Sequence, residues 1–440
     1  QSFDIATGEW NVSAPPPGPE SRSSYAVAYD HARDQVLLFG GLGTRAFVFY
    51  DDLWSRSSRD GEWRRLLVAG TPPAGRKDAT LVEDPLRDRF LLLGGWTGSP
   101  IPIDVWELAH PGSPAWSQLA VAGVPPDRVD GAVLDAPRDG LIVHGAVSQP
   151  FQEGEWELTL GSDPRWRRLP VAGTAEPPQL CGFTLDRARG RVLLFGGYQR
   201  NADQTIDSDT AWGFALDGDS VRWDQLSEPN ERIRYVISPY FNQGAIAVDP
   251  VRDRLVSFGG IGSSLILEQT SSEFAEALPL FGVRTWQDLD PVEGGPPPTS
   301  YRPIVYDPVR DAMLVFGAGE FTACGATFEL DGGHEGWPSV EARVVSSMHS
   351  AVRLEWTAPE GPPNVPVLRR LLDGAWMNAG EALRSADGVL RFTDAEVSAG
   401  SAVDYRLAWP VPGGDIPVGE VSLTVGVPAR AALAVHGNPA

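Results

Sequence analysis

Lysine is nearly missing from this chain: of 36 basic residues, only Lys77 is not an arginine. Cysteine is almost as scarce. Cys181 and Cys324 can form one bridge at most, which excludes a disulfide framework and a multi-cysteine metal centre. Two buried free thiols are the expectation, because unpaired cysteine behaves as a small core hydrophobe. No run of about 18 apolar residues occurs, so no membrane-spanning helix is expected. Positive charge is also short. The 36 basic residues face 58 acidic ones, a net charge of -22, which argues against nucleic acid or an anionic membrane surface as a partner. The chain starts at Gln1 without a charged-then-apolar leader. A removed signal peptide or an internal start is the expectation.

Glycine (48) and proline (39) are plentiful in the 440 residues, while hydrophobic content is an ordinary 42%. That profile suits a turn-rich all-β protein. Length alone suggests about three domains of roughly 150 residues each, but internal repetition overrides this estimate. One unit recurs as YDHARDQVLLFGG from Tyr29, EDPLRDRFLLLGG from Glu83, LDAPRDGLIVHGA from Leu134, LDRARGRVLLFGG from Leu185, VDPVRDRLVSFGG from Val248 and YDPVRDAMLVFGA from Tyr306. The leading aspartates are Asp30, Asp84, Asp135, Asp186, Asp249 and Asp307, at intervals of 54, 51, 51, 63 and 58 residues.

Each part of the unit has a physical reading. The aspartate accepts from a backbone N–H two residues on and opens a tight turn between antiparallel strands. Continuous apolar runs such as VLLF and MLVF suit strands covered on both faces. The Gly-Gly that follows permits conformations or close packing that a Cβ forbids. Two copies carry Gly-Ala instead, at 145–146 and 317–318, so the pair is not expected to be an absolute steric requirement. A third strand carries Trp54, Trp106, Trp156, Trp212 and Phe328, and a fourth carries Trp10, Trp63, Trp116, Trp166, Trp223 and Trp286. Their recurrence at the repeat interval points to packing between units rather than to a carbohydrate platform. Proline-rich connectors such as VAGTPPAGR lead to the next unit.

Four short strands in about 50 residues, with Gly-Gly after the second and Trp beyond it, resemble the kelch type of β-propeller. The resemblance covers residues 1–336 and implies an all-β fold of six blades. Trp10 would belong to an N-terminal strand that completes the last blade and closes the ring. Residues upstream of Gln1 would make seven, and Trp337 is an alternative fourth strand. Residues 338–427 alternate apolar and polar side chains and resemble a fibronectin type III-like, immunoglobulin-like sandwich, with Trp356 as core tryptophan and Tyr405 as corner tyrosine. Residues 428–440, a linker or the start of another module, resemble the first strand of a C-terminal sorting or immunoglobulin-like module of secreted bacterial proteins, with an Asn438-Pro439 turn. These likenesses together imply a secreted or cell-surface bacterial protein.

Chemistry is hard to find. The six histidines, His31, His110, His144, His334, His349 and His436, show no metal-ligand spacing, and no metal or other cofactor is expected. His144 stands where most other copies have Phe and reads as a buried, hydrogen-bonded histidine. Asp203, Asp207 and Asp209 crowd one loop, which reads as a solvated acidic loop rather than a calcium site. No Gly-x-Ser-x-Gly or phosphate loop occurs. Copper radical oxidases also use kelch propellers, but they need placed histidine pairs. Sialidase propellers carry Ser-x-Asp-x-Gly-x-x-Trp boxes, and SRDGEW at 58–63 has another spacing. The repeated turn acids recur in most units, whereas a catalytic pair would be unique. No catalytic residue is therefore assigned.

Binding is the more economical function, because ligands meet propeller loops. The loops between second and third strands and the connector after the fourth unit hold Phe47, Phe49, Tyr50, Trp96, Phe151, Tyr198, Arg200, Arg232, Arg234, Tyr235, Tyr240, Phe241 and Phe321. Aromatic residues and arginine dominate interface hot spots, although each could instead cover its own blade edge. Arg22, Arg76, Arg128 and Arg302 precede the first strands and either ring the channel mouth or bond to carbonyls. The expected function is a non-enzymatic binding or assembly scaffold. Its partner would be a protein or glycan at the loop face, with self-association as a further expectation. The alternatives are a carbohydrate-active or oxidative enzyme with a channel site, and a self-assembling structural subunit.

Overall fold

A computed structural model of the chain describes residues 2–4, 9–11, 18–43, 48–99, 102–110, 114–148, 151–173, 178, 181–200, 205–207, 210–217, 220–227, 246–258, 275–280, 287–289, 303–316, 327–331, 340–348, 351–371, 376–411 and 414–425. Each sequence repeat becomes one antiparallel sheet. The first runs Ala26–Asp30, Gln35–Phe39, Leu53–Ser57, Trp63–Leu66 in spatial order. The second, Thr80–Asp84 to Ala115–Gln118, the third, Arg128–Asp135 to Arg165–Leu169, the fourth, Gly182–Asp186 to Ser220–Gln225, and the fifth, Ile246–Asp249 to Gln287–Leu289, repeat this meander. Three strands of the sixth are described, Ile304–Asp307, Ala312–Phe316 and Thr327–Asp331.

The repeat's turn is built as its chemistry requires. Asp30 Oδ1 accepts from the N–H groups of Ala32 (3.1 Å) and Arg33 (3.2 Å). The last turn residue adopts positive φ at Asp34 (49°), Asp88 (47°), Asp139 (52°), Asp253 (51°) and Asp311 (51°), with Gly190 (57°) in the fourth copy. Asp tolerates this left-handed region better than most residues. These aspartates also receive arginines from the preceding sheet. Arg33 donates twice to Asp88 (2.8 and 2.7 Å), Arg189 to Asp253 (2.7 and 2.5 Å) and Arg252 to Asp311 (3.0 and 2.7 Å). The motif is thus a ring of inter-sheet clamps, which is why it recurs.

Sheets pack face to face through the repeated aromatics. Trp63 meets Phe316 edge-on at 5.2 Å, Phe39 meets Trp116 at 5.3 Å, and Trp63, Trp116, Trp166 and Trp223 are all buried. The sixth sheet returns onto the first: Tyr25 Oη donates to Phe316 O (2.7 Å) and Arg310 Nε to Ser58 O (2.5 Å). The arrangement is a propeller. Its connectors do more than link. Val171–Ala172 pairs parallel to Ser220–Gln225, and Ala69 and Ala122 bridge to Ala115 and Arg165 of the following sheets. Each therefore covers an outer edge strand of the next sheet.

Two expectations need correction. Glu9–Asn11, which carries Trp10, pairs with Ser2–Asp4 in a hairpin of its own, and among the described residues it does not join Thr327–Asp331. The two segments lie only four residues apart, close enough for local pairing to compete with a return to the last sheet. Gly-Gly is also not replaced neutrally by Gly-Ala. Gly41 (φ 102°) and Gly95 (φ 93°) turn the chain, and a Cβ on either would fall within 3.0 Å of a backbone oxygen. Ala146 cannot follow that path, so the third sheet runs straight on as Gly140–Ser148 paired with Phe151–Thr159.

The C-terminal region forms a seven-stranded sheet. Its strands neighbour in the order Glu341–Met348, Ala351–Thr357, Leu390–Asp394, Met377–Arg384, Asn364–Leu371, Ala402–Val411, Gly414–Thr424. Trp356 and Tyr405 are wholly buried at its centre, Trp356 Nε1 donating to Gly419 O (2.7 Å) and Tyr405 Oη to Asp394 (2.9 Å). This sheet docks on the turn end of the propeller. Asp34 accepts from Trp376 Nε1 (2.6 Å) and with both oxygens from Arg406 Nη1 (2.9 Å each). Arg406 and Arg370 lie over the Trp376 ring at 4.0 and 4.5 Å. Val251, in the fifth sheet's turn, packs against the C-terminal core.

Candidate functional site

The innermost strands of all six sheets surround a channel of about 380 Å³. Polar and apolar groups share its wall about evenly, the apolar part including Val27, Leu81, Phe183, Ile246 and Ile304 at matching repeat positions. At the turn end it is lined by Tyr29, His31, Arg187, Tyr306 and Asp415, the last from the C-terminal sheet. His31 Nδ1 is engaged with Glu83 at 2.6 Å.

At the opposite, Gly-Gly end, the loops stand on buried arginines. Arg76 is 1% exposed. It donates to Gly94 O (2.7 Å) and to both oxygens of Asp104 (2.6 and 3.0 Å), and Asp104 also accepts from Trp106 Nε1 (2.6 Å). Arg22 repeats this with Gly40 O, Asp52 and Trp54. These two arginines therefore bond to carbonyls and do not line the mouth. Arg302 lies outside the described residues.

The predicted binding residues divide. Tyr50 lies beneath the Arg22 guanidinium (3.8 Å) and donates to Glu20 (2.7 Å). Burial and its Glu20 bond push its hydroxyl up to about 12; the side chain supports the loop. Phe49 is half-buried with Gly98 of the second sheet's loop against its ring, and Val48 (47%) and Trp96 (42%) are exposed beside them. Gly98 thus brings the second sheet's loop, which exposes Trp96, against Phe49 of the first sheet's loop. Phe151, Tyr198 and Arg200 lie in described strands, without side-chain placement. Phe47, Arg232, Arg234, Tyr235, Tyr240, Phe241 and Phe321 lie outside the described residues, as do Cys324, Asp203 and Asp209.

A titratable cluster interrupts the apolar core in the aberrant third sheet. His144, 1% exposed, replaces the Phe of four other copies. Glu155 takes the place of Leu53 and Val105, and Gly154 that of Asp52 and Asp104. Without that aspartate, Arg128 donates to Asp130 (2.6 and 2.7 Å) and Glu153 (3.0 Å). His144 Nδ1 meets Glu155 Oε1 at 3.0 Å, and Nε2 lies 3.3 Å from Glu153 Oε2. Phe183 stacks on the imidazole, with ring centroids 5.9 Å apart. Burial alone would lower the His144 pKa; the Glu155 carboxylate, with Cys181 and Glu153, outweighs it and holds the ring well above the ordinary histidine range. Cys181 is a buried free thiol, pushed up to about 11 by burial. His144 is buried and hydrogen-bonded as expected, and three carboxylates that the sequence reading does not assign to it, Asp130, Glu153 and Glu155, surround it. The signal was present: Glu155 breaks an apolar position of the repeat.

A family model for the KLHDC2/KLHL20/DRC7 Kelch-repeats domain matches residues 1–197. Among solved structures, a fungal alcohol oxidase described as "Novel fungal alcohol oxidase with catalytic diversity among the AA5 family, in complex with copper" is similar over 97% of this chain and 90% of its own, with a TM-score of 0.50 and 12% sequence identity. At that identity the likeness concerns the fold. Residues 1–197 are thus similar to kelch repeats, and the turns and glycine pairs recur beyond the matched stretch in a propeller fold.

Proposed function

We propose that this protein is a non-enzymatic binding scaffold that holds a protein partner against the Gly-Gly end of a six-bladed propeller. The observation that carries this reading is the exposed Val48 and Trp96 with the half-buried Phe49, on touching loops of two sheets that stand on the buried Arg22 and Arg76 anchors. An aromatic held on a rigid base loses little conformational entropy on binding, which makes it an effective anchor. The other end of the propeller carries the C-terminal sheet at Asp34, so the two ends are suited to different tasks. A kelch domain as such fits protein recognition. In this reading the C-terminal sheet is a fibronectin type III-type module that spaces the propeller from a bacterial cell surface, where the protein is exported.

The test is capture from a native surface fraction on immobilised protein, compared with Trp96→Ala and Phe49→Ala and run beside a glycan array. The expected result is one protein retained by the wild type, at least tenfold less on Trp96→Ala, and no glycan bound. Retention unchanged by both substitutions, or a bound glycan in place of a protein, would overturn the proposal.

A further inference from the structure

The geometry points to a divalent transition-metal site in the third sheet, held by His144, Glu153 and Asp130 and oriented by Glu155. We infer that it takes Zn²⁺ or a cation of similar ligand preference. Nothing in the scaffold reading requires it.

The first argument is the pairing of atoms. One ligand atom each from Asp130, His144 and Glu153 lie within 4.8 Å of one another. His144 Nε2 and Glu153 Oε2 are both buried, and neither has a hydrogen-bond partner despite their 3.3 Å separation. Nδ1 is turned to Glu155, so Nε2 is the ring nitrogen that faces Glu153 and Asp130. An ion bound between them would satisfy both atoms. Two ligands bound to Zn²⁺ at about 2.0–2.1 Å and a tetrahedral angle lie about 3.4 Å apart, close to the separation seen here.

The second argument is the Glu155–His144 bond. A histidine ligand ordinarily donates its other ring N–H to a carboxylate, which fixes the tautomer and raises basicity. Glu155, 1% exposed, does this at 3.0 Å. The third argument is charge. Three carboxylates, Asp130, Glu153 and Glu155, gather beside Arg128 and His144 in a part of the core where the first and second sheets hold Leu53 and Val105. Buried charge of that size is costly without a counter-ion. One imidazole nitrogen with carboxylate oxygens suits Zn²⁺ better than the all-oxygen shells of Ca²⁺ or Mg²⁺.

The competing account is a proton shared between His144 and Glu153, with no metal. To separate the two, the full chain is stripped with EDTA and titrated with ZnCl2 by calorimetry, in parallel with Glu153→Gln, Glu155→Gln and His144→Phe. The expected result is one Zn²⁺ per chain, loss of binding in Glu153→Gln, and about 10–100-fold weaker binding in Glu155→Gln, the effect typical of an orienting partner. Zn²⁺ should raise the melting temperature of the wild type and not that of Glu153→Gln. His144→Phe restores the residue of the other copies and should fold without binding; if it does not fold, Glu153→Gln decides. Absence of stoichiometric Zn²⁺ in the wild type, or equal binding by wild type and Glu153→Gln, would overturn the inference.

Discussion

The second and third sheets come from the same repeat and solve the same problem differently. In the second, Arg76 is sealed by Asp104 and a carbonyl, Gly94 and Gly95 turn the chain, and the space beneath is filled by Leu93 and Val105. In the third, the partner aspartate has become Gly154, the strand runs straight past Ala146, and His144 and Glu155 occupy the same layer. A change at one position of the repeat thus brings changes at its neighbours. A buried arginine must find carboxylates, and carboxylates brought into the core must find a cation. Their histidines differ in the same sense. His110 of the second sheet packs edge-on to Phe90, and burial with Arg33 nearby lowers it to about 4, while His144 is held high by carboxylates.

The largest effect should come from breaking the lock. Arg76→Ala leaves Asp104 and Gly94 O without their donor, and loss of one member of a buried pair costs about 3–5 kcal/mol. Arg128, with its side chain 35% exposed, should give a clearly smaller loss as Arg128→Ala. Equal losses in chemical denaturation would break the comparison.

Asp34→Ala should come next. It removes the acceptor shared by Trp376 and Arg406, while the other left-handed aspartates keep their turn clamps. The expected outcome is one thermal transition split into two by calorimetry, with faster proteolysis between the propeller and the C-terminal sheet. Asp88→Ala, which loses only Arg33, should keep a single transition.

The smallest effect is a pH slope. The folded-state pKa of His110 is depressed to about 4 from 6.5, so the fold favours the neutral ring. Below about pH 6.5 the unfolded chain takes up this proton first, and stability falls as pH drops towards 4. His110→Phe should flatten the stability profile over that window; an unchanged slope would place the proton uptake elsewhere.

Much of the propeller was legible in the repeats. Asp-x-x-Arg-Asp specifies its turn within five residues, and the Gly pair signals positive φ, so both could be read locally. The buried fourth-strand tryptophans followed from their recurrence. Less could be read of the connectors, because VAG looks like a linker until the next sheet's outer strand lies beside it. Of the loop aromatics, composition could not separate Tyr50, which supports Arg22, from Trp96, which faces solvent. His144 was visible as a departure from Phe, but its carboxylates come from other strands and meet only in the folded sheet.

Local chemistry settled the all-β class, the repeated hairpins and the positions of the turns, since each depends on interactions a few residues long. Tertiary structure decided which repeat touches which. It gave Asp34 to a tryptophan 342 positions away and left its counterparts to arginines of the neighbouring sheet. It also paired the N-terminal strand with its own hairpin rather than the last sheet. The reason is that identical turns offer identical donors and acceptors, and only the closure of the ring and the docking of the C-terminal sheet select among them.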